Sequence, residues 1–187
     1  MNTSDIAIFV LSGRGNFRNR QAVRETWMAG QRNVLFLVGA QPCPIPPAGR
    51  KLHRGVESKK DRLLWTCDPD PGMVGKLTWQ QQQQWNQEIL REQEALRQEQ
   101  AQHADLILVP MIDVYRNLPR KLKELYRFAV QHTNARWIAK MDDDQFLRVP
   151  QLTQMFRTLP SNEMQIFAGR CKSFAHVLLL SITGRLS

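Results

Sequence analysis

Short unbroken apolar runs alternate along this chain with longer segments in which apolar residues recur every three or four positions. Ile6-Ala7-Ile8-Phe9-Val10-Leu11 is closed by Ser12-Gly13, and Asn33-Val34-Leu35-Phe36-Leu37-Val38-Gly39 follows it. Runs without a polar break predict strands covered on both faces, as in a parallel sheet. Between them, residues 16–28 place Val23 and Trp27 four apart, and Arg20 and Arg24 four apart on a neighbouring face, which predicts a helix. Strand, helix, strand is the opening of a βαβ unit. Farther on, residues 105–110, 136–141 and 165–169 read as three more strands. Asn117 is placed to cap a helix with Pro119 in its first turn, where a missing N–H is harmless. In that helix Leu118, Leu122, Leu125 and Ala129 follow helical spacing, while Lys121, Lys123 and Arg127 keep the other face polar. Residues 150–159 predict one further short helix. The pattern as a whole predicts an α/β domain with a mostly parallel sheet.

Residues 41–78 interrupt this rhythm with Pro42, Pro44, Pro46, Pro47, Pro69 and Pro71 among Gly and charged residues, the composition of a long insertion. Residues 79–102 predict a Gln- and Glu-rich helix. Its only apolar stripe is Trp85, Ile89 and Leu96, so it is half-exposed and lacks the heptads of a coiled coil. Together, residues of about 41–102 form a Pro/Gln-rich insertion in the domain. No apolar run approaches the ~20 residues of a membrane-spanning helix. No Gly-x-Gly-x-x-Gly follows any strand, so a dinucleotide site has no support.

Composition narrows the classes further. The 187 residues suffice for one domain with a real core and are few for two. Three Cys without a Cys-x-x-Cys pair exclude a zinc ribbon or a disulfide-dense mini-domain. A formal charge of +9 draws the chain to anions, whether nucleic acid, membrane head groups, sulfated glycans or nucleotide diphosphates. A basic nucleic-acid-binding module is the weakest of these readings, because Phe9, Trp27 and Trp137 fall at core positions and form no stacking platform.

The chemistry concentrates at Asp142, Asp143 and Asp144, at the carboxyl end of a strand, where open α/β sheets bind ligands. If the segment stays extended, alternation puts Asp142 and Asp144 on one face. Two carboxylates about 4 Å apart repel by roughly 4 kcal/mol at an effective dielectric near 20, a cost relieved by solvation or by a cation. Oxygen-only ligands suit Mg²⁺ or Mn²⁺. A bare acidic triplet is equally well a solvated turn; the strand before it favours a metal site. Arg14, Arg18, Arg20 and Arg24 follow the first strand at the same edge, as phosphate or base ligands or as a solvated basic helix face. Lys140 falls on the strand face of Asp142 and is placed either to meet ligand or to pair with that carboxylate.

Three segments in order resemble the β-1,3-glycosyltransferase family 31, of galactosyltransferase type. Arg20-Gln21-Ala22-Val23-Arg24-Glu25-Thr26-Trp27 looks like its Arg-x-x-Ile-Arg-x-Thr-Trp signature. Asp113-Val114-Tyr115-Arg116-Asn117-Leu118-Pro119-Arg120-Lys121 is similar to its Asp-x-Tyr-x-Asn-Leu-x-x-Lys segment. Lys140-Met141-Asp142-Asp143-Asp144 matches its Lys-x-Asp-Asp-Asp motif. The resemblance implies a GT-A-like, Rossmann-type fold, a UDP-sugar donor, Mn²⁺ or Mg²⁺ as cofactor, and inverting transfer of a hexose to a glycoprotein or glycan acceptor. It implies a nucleotide-sugar site from Ser12, Arg14, Arg20, Arg24, Lys140, Asp142 and Asp143, with Asp142 and Asp144 on the metal. It also implies a type II membrane protein of the Golgi or ER lumen, with no nucleic-acid partner, and leaves homo- or hetero-oligomerisation open. The resemblance covers residues 1–169 as the donor part of one domain and fades over 170–187, which reads as a non-homologous tail. The family's C-terminal half, with its catalytic base, and its N-terminal anchor have no counterpart in the sequence. The expectation is therefore a fragment or inactive isoform with an incomplete fold; a non-catalytic product that binds UDP or a partner is the alternative. Cys43 and Cys67 can pair in an oxidising lumen.

Overall fold

A computed structural model describes residues 5–51, 66–158 and 178–181. The elements are β1 (Ile6–Leu11), α1 (Phe17–Glu25), β2 (Val34–Gln41), α2 (Pro71–Val74), α3 (Trp79–Gln102), β3 (Leu106–Ile112), α4 (Leu118–His132), β4 (Trp137–Asp142), α5 (Val149–Thr158) and β5 (Leu178–Ser181). The sheet has the order β3-β2-β1-β4-β5. β1 is parallel to β2, with Ile8 opposite Val34 and Leu11 opposite Leu37. It is also parallel to β4, with Ile6 opposite Trp137 and Leu11 opposite Asp142. β5 runs antiparallel to β4. The fold is thus α/β with a mostly parallel sheet, GT-A-like as expected. β1 lies between two parallel neighbours, and every one of its residues is buried. That is the burial its unbroken apolar run requires.

The strand expected at 165–169 lies outside the described residues, and the last strand of the described sheet is β5, from the segment read as a tail. α1 stops at Glu25, short of Met28. The Thr26 hydroxyl donates to the Ala22 carbonyl at 2.6 Å, and Gly30 then turns the chain at a φ of 76°, a left-handed value that glycine adopts without strain.

The chain clusters into two compact units. The first comprises residues 1–12, 16–37 and 124–187; the second comprises 13–15 and 38–123. In the first, Phe9, Phe36, Trp137, Ile138 and Phe156 are fully buried. Phe9 meets the edge of Phe128 at 6.1 Å, and Trp137 packs against Phe156 at 4.9 Å. Burying each phenylalanine contributes about 1.5–3 kcal/mol. Phe9, Trp27 and Trp137 are core residues, as the apolar pattern predicted.

The second unit contains the described residues of the Pro/Gln-rich insertion. Cys43 and Cys67 form a disulfide. α3 spans the predicted range and opens with a capping box, in which the Gln81 N–H donates to Thr78 Oγ1 and the Thr78 N–H to Gln81 Oε1. Trp85 donates through Nε1 to the Cys43 carbonyl at 2.9 Å, and the Arg50 guanidinium lies 5.0 Å over its ring. Desolvation lowers the Arg50 pKa to about 10, against a smaller opposing pull from Glu92. Leu96 is fully buried, whereas Trp79 and Leu90 on the same helix are exposed, which accords with the weak apolar stripe.

Candidate functional site at the carboxyl edge of the sheet

Within the first unit, the parallel register that sets Leu11 opposite Asp142 brings the next residues of each strand together. Ser12 Oγ donates to Asp143 Oδ2 at 2.5 Å, and Asn16 Nδ2 donates to the same oxygen at 2.9 Å. Asn19 Nδ2 donates to Asp143 Oδ1 at 3.1 Å. Behind Ser12, Arg20 donates through Nη1 to Ser12 Oγ at 2.9 Å. Arg20 is fully buried, with its guanidinium 4.8 Å over the Phe17 ring.

The backbone leaves the extended conformation at Asp142. Gln145 N–H donates to the Asp142 carbonyl at 3.3 Å, which closes a turn over 142–145, and Gln145 Oε1 accepts from the Asp142 N–H. Trp27 Nε1 donates to the Gln145 carbonyl at 3.1 Å. Strand alternation therefore does not relate Asp142 to Asp144, contrary to the extended reading of the triplet; turn geometry does. The triplet splits into three environments. Asp143 points to β1 and α1 and is held by three donors. Asp142 is part-exposed and pairs through Oδ1 with Lys140 Nζ at 2.6 Å. Asp144 is exposed.

Lys140 is thus a partner of Asp142, one of the two roles its strand face allowed. Arg24 is half-buried with its guanidinium 4.9 Å over the Phe36 ring. Arg18 is exposed. Arg14 belongs to the second unit. There its Nε meets Glu92 at 2.7 Å, its Nη1 donates to the Gly39 and Ala40 carbonyls at 3.0 and 2.6 Å, and its Nη2 donates to Gln93 at 2.8 Å. It is nearly fully buried and joins the end of β2 to α3. Of the residues expected at one site, the structure gathers Ser12, Arg20, Lys140, Asp142, Asp143 and Asp144 at one edge of the first unit. Arg14 bonds within the second unit, to Gly39, Ala40, Glu92 and Gln93.

Among the described residues, no three His, Cys, Asp or Glu side chains form a ready metal cage. The donor set that is present, two carboxylates on one turn with one oxygen of Asp142 already opposite a cation, suits a hard ion such as Mg²⁺ or Mn²⁺. Those ions use one or two carboxylates and complete their shell with phosphate and water.

Sequence reasoning missed Asn16 and Asn19. Their signal was present: two amides three apart at the start of a helix lie on one face, directly after the strand that neighbours the acidic triplet. The second motif segment, in the other unit, also has a structural explanation. Asp113 accepts from the Gly39 N–H at 3.1 Å and from Lys121 Nζ at 2.7 Å, both side chains being nearly fully buried. Asn117 donates to the Ile112 carbonyl at 2.9 Å and ends a 3₁₀ turn, Tyr115–Asn117, that leads directly into α4. Tyr115 remains exposed.

Comparison with known proteins adds an independent line. Residues 81–179, just over half of the chain, match the family described as Galactosyltransferase, and the match extends past Gly169 into the segment read as a tail. UDP-GalNAc:beta-1,3-N-acetylgalactosaminyltransferase 2 of Xenopus laevis is 39% identical over 51 residues, 27% of this chain and 10% of its own length. The protein of that name in Homo sapiens is 38% identical over 45 residues, 24% of this chain and 9% of its own length. Lactosylceramide 1,3-N-acetyl-beta-D-glucosaminyltransferase A of Danio rerio is 28% identical over 163 residues, 86% of this chain and 34% of its own length. The chain spans about a third or less of the length of these relatives.

Proposed function

Because the chain belongs to the galactosyltransferase family, we propose that it carries the donor-sugar part of a UDP-sugar-dependent β-1,3-hexosyltransferase. The transfer is of galactose or N-acetylgalactosamine, inverting, metal-dependent, and part of protein glycosylation in the Golgi or ER lumen. The names of the N-acetylgalactosaminyltransferase relatives support a UDP-activated donor. The observation that carries the reading is the turn bearing Asp142 and Asp144 at the carboxyl ends of β1 and β4, where a parallel sheet presents ligands. The Cys43–Cys67 disulfide fits an oxidising compartment. No helix among the described residues is long and apolar enough to cross a membrane.

In this reading Asp142 and Asp144 would hold the divalent ion, Mn²⁺ or Mg²⁺. When bound, the ion supplies electrostatic stabilisation of the departing UDP. Lys140 holds Asp142 in place before the donor arrives. Arg24, half-buried in the last turn of α1, is carried into this reading as a nucleotide contact by the family resemblance alone. Inversion needs a carboxylate that takes the acceptor hydroxyl proton, a role assigned to none of the residues described above.

Isothermal titration of the chain with UDP, with and without Mn²⁺, tests this. Metal-dependent binding that is lost in both Asp142→Asn and Asp144→Asn is expected. Folded protein that binds UDP equally well in EDTA, or not at all, overturns the reading.

A further inference from the structure

Asp143 stands in the middle of the acidic triplet, yet its surroundings differ in kind from those of its neighbours. Both its oxygens face protein donors: Ser12 Oγ and Asn16 Nδ2 on Oδ2, and Asn19 Nδ2 on Oδ1. A carboxylate offers about four lone-pair positions, so three donors leave little capacity for a ligand. The donors all come from the end of β1 and the start of α1, so Asp143 ties the 142–145 turn to that junction.

The network also has a direction. A serine hydroxyl has one proton; with Arg20 donating to Ser12 Oγ, that proton goes to Asp143. Asn16 supplies a second sign. It occupies the N-cap position of α1 and makes no side-chain capping bond; its amide turns to Asp143. Asparagine at this position ordinarily caps its own helix through Oδ1; here the side chain is instead oriented so that Nδ2 donates to Asp143.

We propose that Asp143 is a positioning residue: it touches neither ion nor donor, and the Ser12–Asn16–Asn19 clamp on its carboxylate sets the turn that presents Asp142 and Asp144. This rests on the donor-site reading above. The turn is held at three points: Asp142 by β4, Asp143 by the clamp and Gln145 by Trp27. Releasing the central one disperses the flanking carboxylates without removing either.

The test pairs Mn²⁺-dependent UDP titration with amide hydrogen exchange over residues 142–147 in the ligand-free chain. Asp143→Asn puts an amide opposite an amide donor. It is expected to weaken Mn²⁺–UDP binding by about tenfold to a hundredfold, the usual loss on removing a group that orients a metal ligand. Binding remains Mn²⁺-dependent, and exchange in the turn accelerates. Combining Asp143→Asn with Asn19→Asp lets the new amide donate to the new carboxylate, while its carbonyl still accepts from Ser12 and Asn16; both readouts return toward wild type. If Asp143→Asn abolishes Mn²⁺ dependence with exchange unchanged, Asp143 is a ligand and the proposal fails. It also fails if the double variant recovers neither readout. If the wild-type chain binds no UDP with Mn²⁺, the donor reading falls, while the exchange arm still decides whether Asp143 holds the turn.

Discussion

Lys140 Nζ lies 2.6 Å from Asp142 Oδ1, so a protein cation occupies one side of the carboxylate assigned to the metal. The ammonium is largely buried on β4, whereas Asp142 is open enough for water to screen it. The ammonium competes with any ion that approaches Asp142. Lys140→Met is therefore expected to tighten binding of Mn²⁺ alone by about twofold to fivefold, the equivalent of up to ~1 kcal/mol for a pair exposed on one side. Titration of Mn²⁺ without nucleotide, followed by electron paramagnetic resonance, measures this. Weaker binding in the variant would show that Lys140 supports the ion indirectly and does not compete with it.

The Asp113–Lys121 pair is a different case, because both side chains are almost fully buried. Lys121→Met strands a carboxylate among apolar neighbours and is expected to cost about 3–5 kcal/mol. Adding Asp113→Asn should recover much of that loss, since the charge is gone and the Gly39 N–H still has an acceptor. Gly39→Ala should destabilise through the same node, because a Cβ there would lie 2.6 Å from that of Asp113. Urea melts of the variants measure all three effects.

The disulfide closes a sequence separation of 24 residues across the Pro-rich segment. Replacing Cys43 and Cys67 by Ser is expected to lower stability by ~3 kcal/mol, mainly by freeing the unfolded chain. Urea unfolding followed through Trp85, whose indole bonds to the Cys43 carbonyl, should show the midpoint fall. Reductant should shift the wild type in the same way and leave the double variant unchanged.

Tyr126 on α4 has a buried hydroxyl with no hydrogen-bond partner among the described residues, and burial raises its pKa above the ordinary value. Tyr126→Phe removes an unpaired polar group and is expected to stabilise the chain by about 1 kcal/mol. The pH dependence has a definite sign. Above about pH 10 the unfolded tyrosine releases its proton before the folded one does, so the unfolded state binds fewer protons and stability falls. Below that pH the contribution of this group is fully present. Melts at about pH 8 and about pH 10.5 should show a smaller alkaline loss in Tyr126→Phe than in the wild type.

Much of this molecule was legible before any coordinates. Unbroken apolar runs announced β1 and β2 because a strand buried on both faces is mostly apolar, and α3 matched its expected range because its cap and composition are local. The acidic triplet and its place at a strand end were equally plain, since strand direction alone puts Asp142 at the ligand edge. What the linear pattern left undetermined was the division of labour. Arg14 and Arg20 read as phosphate or base ligands or as a solvated basic helix face, and the resemblance made Asp143 a nucleotide-sugar contact. The partners that occupy them, Gly39, Ala40 and Glu92 for Arg14, and Ser12, Asn16 and Asn19 around Asp143, are set by strand register and chain return. A charged side chain has the same letter whether it meets water, a ligand or a buried carbonyl. Desolvation and hydrogen-bond geometry distinguish these roles, and both arise when segments distant in the chain pack together.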